Sequence, residues 1–216
     1  MSDFLINRYN VNDIVFTKPK KYNNYLICKI KEPLIVQFPK MTLVSETNSD
    51  SKSLELEFTS NKGYNAEIYD FLSKLDDYII EYIFSHSEKW FEKVIPIENV
   101  RQMYNKFIKA PKNVDKSCTV NFDFKMRAGK LKSNIIDNSD NEMTQLELIK
   151  NNPVECISQL KYIVFSRDTC FTSWEIITCK YYLPKMERVK GYAFIDDPHD
   201  NTEEPDSDDE NLMTFY

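Results

Sequence analysis

Apolar residues recur along this chain with two different periods. Near the N-terminus they come as short β-branched or aromatic runs: Asp13–Phe16 (DIVF), Tyr25–Ile30 (YLICKI) and Pro33–Phe38 (PLIVQF). Lys-Pro, Asn-Asn and Glu-Pro breaks separate them, and after the polar stretch Ser45–Ser53 the segment Leu54–Phe58 alternates apolar with polar residues. Such runs predict short, half-buried strands. The period then lengthens. Ile68, Phe71, Leu72, Leu75, Ile79, Tyr82 and Ile83 recur at steps of three and four, which predicts one apolar stripe on a helix over Ala66–Phe84. Its acids Asp70, Asp76, Asp77 and Glu81 are expected in solvent. A second helix is predicted after Pro96, with Ile97, Val100, Met103, Tyr104, Phe107 and Ile108 on one face and Pro111 ending it.

Beyond Pro111 the two-residue period returns. Val120, Phe122, Phe124 and Met126 fall on one side of a strand, and Asn121, Asp123, Lys125 and Arg127 on the other. Gly129 marks a bend or bulge. Asn134–Glu142 reads as a strand end and turn, and MTQLELIKN as a short helix. Gln159–Phe165 and Ser173–Leu183 read as an antiparallel pair. Six to eight short strands with two or three helices predict a mainly β fold, an OB-fold-like, partly open barrel elaborated with helices.

Charge changes this picture by dividing the chain. From Asp196 onward nine acids occur with no Lys or Arg, whereas residues 1–195 carry 28 basic and 25 acidic side chains. A run of that kind repels itself and buries nothing, so residues 196–216 are expected to form a disordered acidic tail behind a folded domain at 1–195. The tail closes on Leu212, Met213, Phe215 and Tyr216, an apolar tip suited to docking on a partner. Within the body, Arg101–Lys132 holds nine bases against Asp115 and Asp123. Lys18, Lys20 and Lys21 form a smaller cluster beside Tyr22 and Tyr25. A surface of this kind suits a polyanion, because each neutralised phosphate releases counterions.

Catalytic chemistry finds little material. Three glycines argue against phosphate-cradling loops, and the five cysteines include no C-x-x-C pair. His86 is the one histidine before the tail, so a nucleophile would lack its usual base. The expectation is a non-enzyme without metal or cofactor. No run of about 18 apolar residues points to a membrane span, and the opening MSDFLINRYNVNDIVF does not read as a signal peptide. The candidate phosphate contacts are Lys18, Lys20, Lys21, Lys109, Lys112, Lys116, Lys125, Arg127, Lys130 and Lys132. Bases stacking on rings would complete a single-strand site. A ring out of phase with its strand, or in a loop, is the candidate for that role, which favours Phe171, Tyr22 and Trp90.

Several segments resemble a known family: PLIVQFPKM (Pro33–Met41), EKWFEKVIPIENVRQMYNKFIKAP (Glu88–Pro111), FKMRAGKLKSNIID (Phe124–Asp137), and ISQLKYIVF with SWEIITCKYY nearer the C-terminus. They look like the single-stranded DNA-binding proteins of nucleocytoplasmic large DNA viruses, the African swine fever virus type. The acidic, aromatic-ended tail is similar to that of bacterial and podophage single-stranded DNA-binding proteins. The resemblance implies a protein that coats single-stranded DNA during viral DNA replication and repair in the host cytoplasm. It adds Trp174 to the DNA contacts. It also implies that Asp208, Asp209, Glu210, Phe215 and Tyr216 dock replication proteins such as the DNA polymerase, and it leaves homo-oligomerisation open. The alternative is a structural or adaptor protein, such as a minor virion component, using its basic face on an acidic protein.

Overall fold

The computed structural model describes residues 6–48, 50–111, 113, 117–143 and 146–183. Lys112, Lys116 and the tail residues 196–216 lie outside them.

Among the described residues, eleven strands and two α-helices follow in the order β1 (Lys20–Tyr22), β2 (Tyr25–Gln37), β3 (Met41–Leu43), β4 (Ser53–Glu57), α1 (Tyr64–Phe91), α2 (Ile97–Met103), β5 (Tyr104–Asn105), β6 (Thr119–Phe124), β7 (Met126–Arg127), β8 (Lys130–Leu131), β9 (Asn134–Ile136), β10 (Pro153–Phe165) and β11 (Cys170–Tyr181). The long antiparallel pair β10–β11 is the frame, and Tyr25–Ile30 and Pro33–Phe38 fuse into the single strand β2 beside it. Pro33 falls in the stretch between Lys29 and Leu34 where β2 loses register with β10, so no ladder amide is missed.

The other strands bend this frame into a barrel. β10 also pairs β3 through Pro153 and Val154, β3 pairs β4, β4 pairs β6, and β6 runs parallel to β11 at Glu175 and Ile176. The circuit β3–β4–β6–β11–β10 therefore closes, with two-residue seams at β10–β3 and β6–β11. This is the mainly β, partly open OB-like barrel expected from the periodicities. One edge of β11 is shared in turn by β5, β6 and β9, all parallel to it.

The inward residues of these strands form one core. Phe38, Phe107, Phe122 and Trp174 meet inside the barrel, with Phe38–Phe122 centroids 4.6 Å apart and Trp174 stacked on Phe107 at 5.3 Å. Helix α1 lays Ile68, Leu72, Leu75, Ile79 and Ile83 on the same core, and Trp90 and Phe91 extend its stripe to Phe165. That continued stripe explains why the helix runs past Phe84. α1 ends at Glu92 in the left-handed conformation, its amide bonded to the Glu88 carbonyl.

Several local expectations change. Asp13–Phe16 is a 3-10 turn and a single bridge, Phe16 to Ile30, rather than a strand. α2 stops at Met103 because Tyr104–Asn105 are drawn out against β11. The segment expected as a helix from Met143 is not helical over 146–151, where Leu146 and Leu148 alternate inward and Thr47 bonds backbone groups of both. Asp76, expected in solvent, is 2% exposed. It falls on the apolar stripe four residues after Leu72 and four before Ile80.

Candidate nucleic-acid interface

β7 and β8 form a two-residue hairpin whose turn, Ala128–Gly129, has φ of 50° and 74°. Positive φ at both central positions matches the twist of a tight hairpin. Arg127 stands opposite Lys130, and the Lys132 amide donates to the Lys125 carbonyl at 2.7 Å. Side chains alternate along strands and match across them. Arg127, Lys130, Lys125 and Lys132 consequently share one face, with Met126 and Leu131 on the other. Four of the expected phosphate contacts are thus one exposed cluster. It is anchored by Ser133, whose hydroxyl donates to the Ile176 carbonyl at 2.7 Å and accepts from the Lys125 amide at 2.9 Å.

A second cluster lies across the start of β6 and β11. Lys109 exchanges both backbone hydrogen bonds with Thr119, which holds residues 105–109 as a strap over the barrel wall. Lys106, Lys109, Asn105, Asn121, Asp123 and Phe171 line a groove of about 440 Å³ there. Phe171, which precedes the expected strand Ser173–Leu183, lies within β11, where it alternates outward between buried Cys170 and Thr172 and is 36% exposed. Lys109 and Phe171, separated by sixty-two residues, therefore line one groove. Lys106 adds a base not singled out from sequence; its ammonium lies 3.4 Å from exposed Asp77, a contact too weak to withhold it from a ligand.

The strap is fixed from below by Asp76. The Tyr104 hydroxyl donates to its Oδ1 at 2.6 Å and the Phe107 amide donates to its Oδ2 at 3.1 Å. Burial pushes the Asp76 carboxyl up to about 6, with both hydrogen bonds and Lys106 opposing the rise.

β6 runs from the groove, where Asn121 and Asp123 lie, toward the β7–β8 hairpin, which forms a separate two-stranded sheet just beyond Phe124. At about 3.3 Å per residue, Asp123 to Arg127 spans at most roughly 13 Å. Asp123 is the acid on this path. Its carboxylate accepts from the Ser173 hydroxyl at 2.8 Å, and burial, aided by Glu175, raises its pKa against that bond.

The N-terminal cluster divides. In the β1–β2 hairpin Lys20 pairs with Ile27 and Lys21 with Leu26, so the two lysines point to opposite sides. Lys20 shares the outward side with Ile27, and Lys18 is exposed just before β1.

Two ring assignments are corrected. Trp174 is 1% exposed and in phase with Thr172 and Ile176, so it is a core ring that no base can reach. Trp90 is 7% exposed against Phe165. Tyr22, at 64%, stays accessible.

The second and third barrel strands, β4 and β6, form the wall that OB-folds commonly offer to oligonucleotides. Here their outward positions are Ser53, Glu55, Glu57, Thr119, Asn121 and Asp123, with Glu175 alongside on β11. That wall repels phosphate; the cations stand around it.

No protein-family model matches the chain, and no curated protein matches it. Among solved structures it is similar in chain course to single-stranded DNA-binding proteins of bacteriophages. A C-terminal truncation of the one from bacteriophage Enc34 matches with a TM-score of 0.46 and 12% identity, over 81% of this chain and 98% of that one. The single-stranded DNA-binding protein gp2.5 of bacteriophage T7 matches with a TM-score of 0.49 and 9% identity, over 76% and 99%. The Enc34 protein in complex with single-stranded DNA matches with a TM-score of 0.42 and 12% identity, over 78% and 94%. Likeness this remote transfers no residue role.

Proposed function

We propose that this chain binds single-stranded DNA without reading its sequence. The observation that carries this reading is a groove that holds two lysines beside an exposed ring, with a four-cation hairpin face beyond the end of β6. Lys106 and Lys109 flank Phe171, and β6 leads on to Lys125, Arg127, Lys130 and Lys132 on one hairpin face. Exposed lysines and arginines give non-specific attraction to phosphates, and an exposed ring accepts any base. Duplex readout would need an element presented to a groove, whereas Lys106 and Lys109 themselves line a groove beside Phe171. In this reading the protein is not an enzyme. It protects single strands during viral DNA replication and repair in the host cytoplasm, as expected for a large-DNA-virus member of such proteins. The acidic tail, through Asp208, Asp209, Glu210, Phe215 and Tyr216, docks replication proteins such as the polymerase and competes for the groove.

A mobility shift with labelled poly-dT tests the core of the reading. Retardation at low salt that weakens as salt rises, by about 0.7 log units per log unit of salt for each phosphate contact, is expected. No shift at low salt overturns it in favour of a protein-binding adaptor.

A further inference from the structure

The register of five strands places a second set of rings beside the groove. Lys20 stands opposite Ile27, Ile27 opposite Val164, Val164 opposite Phe171, and Phe171 opposite Asn105. Residues opposite one another share a sheet face, so this is one row running across β1, β2, β10, β11 and β5. With strands about 4.8 Å apart, Lys20 and Phe171 lie roughly 14 Å from each other along it.

The flanking rows on the same side hold Tyr22 opposite Tyr25, and Lys29, Tyr162 and Ser173 in line. The alternate residues Cys28, Ile163 and Thr172 are buried, which fixes the outward side. Tyr22 is 64% exposed, Tyr25 46% and Phe171 36%. This face carries four rings and two lysines, and at its border the Ser173 hydroxyl donates to the Asp123 carboxylate at 2.8 Å. The acids begin one row further along β11, at Glu175, which Lys161 meets at 3.5 Å.

Rings interleaved with lysines, three of the rings exposed and the acids kept to one border of the face, match a ligand of bases and phosphates. We infer that this face is a base-stacking platform for a single polynucleotide strand. Bases lie on Phe171, Tyr162 and the Tyr22–Tyr25 pair, while Lys20 and Lys29 take phosphates. The strand leaves the Lys106–Lys109 groove over Phe171 and crosses β10 and β2 toward β1. The platform rests on the single-strand reading and specifies its footprint.

Anisotropy with a labelled oligo-dT of about 16 nucleotides, beside an abasic strand of equal length and charge, tests it. Wild type is expected to prefer oligo-dT. Tyr25→Ser and Tyr162→Ser are each expected to lower dT affinity roughly 5- to 150-fold while leaving abasic binding unchanged, and Tyr25→Phe to keep the preference. Lys20→Gln and Lys29→Gln are expected to weaken both strands alike and to reduce the salt slope by about 0.7 each. Exposed Tyr25 suffices alone should Tyr162→Ser fail to fold. Should wild type bind dT while Tyr25→Ser leaves the dT-to-abasic ratio intact, the platform is wrong and strand binding stands. Should wild type bind neither strand at low salt, the parent reading fails.

Discussion

The hydroxyl of Tyr104 donates to Asp76 across 2.6 Å in the interior, joining the middle of α1 to the strand that precedes the Lys106–Lys109 strap. The Phe107 amide bonds the second carboxylate oxygen. A single buried acid thus sets the position of two groove lysines without touching the groove.

That carboxyl titrates in a definite direction. Burial raises its folded pKa from 3.8 to about 6, so the folded state holds a proton that the unfolded state releases. Its contribution to stability is fully present below pH 3.8 and lost as pH rises through about 6. In urea unfolding, wild type is expected to lose about 2–3 kcal/mol relative to Asp76→Asn across that window. Parallel pH profiles for the two proteins would refute this.

Reversing charge on the hairpin tests whether it touches the strand. Lys125→Glu combined with Arg127→Glu is expected to weaken oligo-dT binding and flatten its salt dependence by at least about 1.4 log units per log unit of salt. Both residues are exposed, so the melting temperature should stay near that of wild type. An unchanged salt slope would place the hairpin off the path.

Trp174 separates core from interface. Trp174→Ala removes a ring packed on Phe107 and Phe38 and is expected to cost about 3–5 kcal/mol in denaturant unfolding. Affinity of the folded fraction for oligo-dT should match wild type. A stable variant with impaired binding would return Trp174 to the surface.

Deleting residues 196–216 removes nine acids and the apolar tip. Strand affinity is expected to hold or tighten and binding to replication proteins to disappear, as read by oligo-dT titration and pull-down. Weaker strand binding after deletion would contradict a competing tail.

The barrel was legible because alternation survives wherever a strand has one wet face. Val120, Phe122 and Phe124 are buried as their phase requires, whereas Met126, expected on the same side, is 41% exposed because β6 ends at Phe124 and a separate hairpin begins; the same rule, applied to Thr172, Trp174 and Ile176, places Trp174 inside. Asp76 was hidden by its type: an acid on an apolar stripe reads as solvent-facing unless its partners, here Tyr104 and Phe107, are known. The cation cluster at 125–132 was visible as composition, but its shared face depends on hairpin register. The platform was out of reach, since Lys20, Tyr162 and Phe171 come onto one sheet face only through the pairing of β1, β2, β10 and β11. Lys112, Lys116 and the tail contacts fall outside the described residues.

The edge of β11 shared by β5, β6 and β9 has a consequence for how the protein is made. All three segments precede β11 in the chain, and β10 also pairs with it. While residues 170–181 are still inside the ribosome, β6 can pair with β4 and β10 with β2, but their β11-facing edges stay bare, so closure is expected as a late and slow event governed by distant pairings. A transcript stopped before codon 170 would yield an aggregation-prone fragment with bare strand edges.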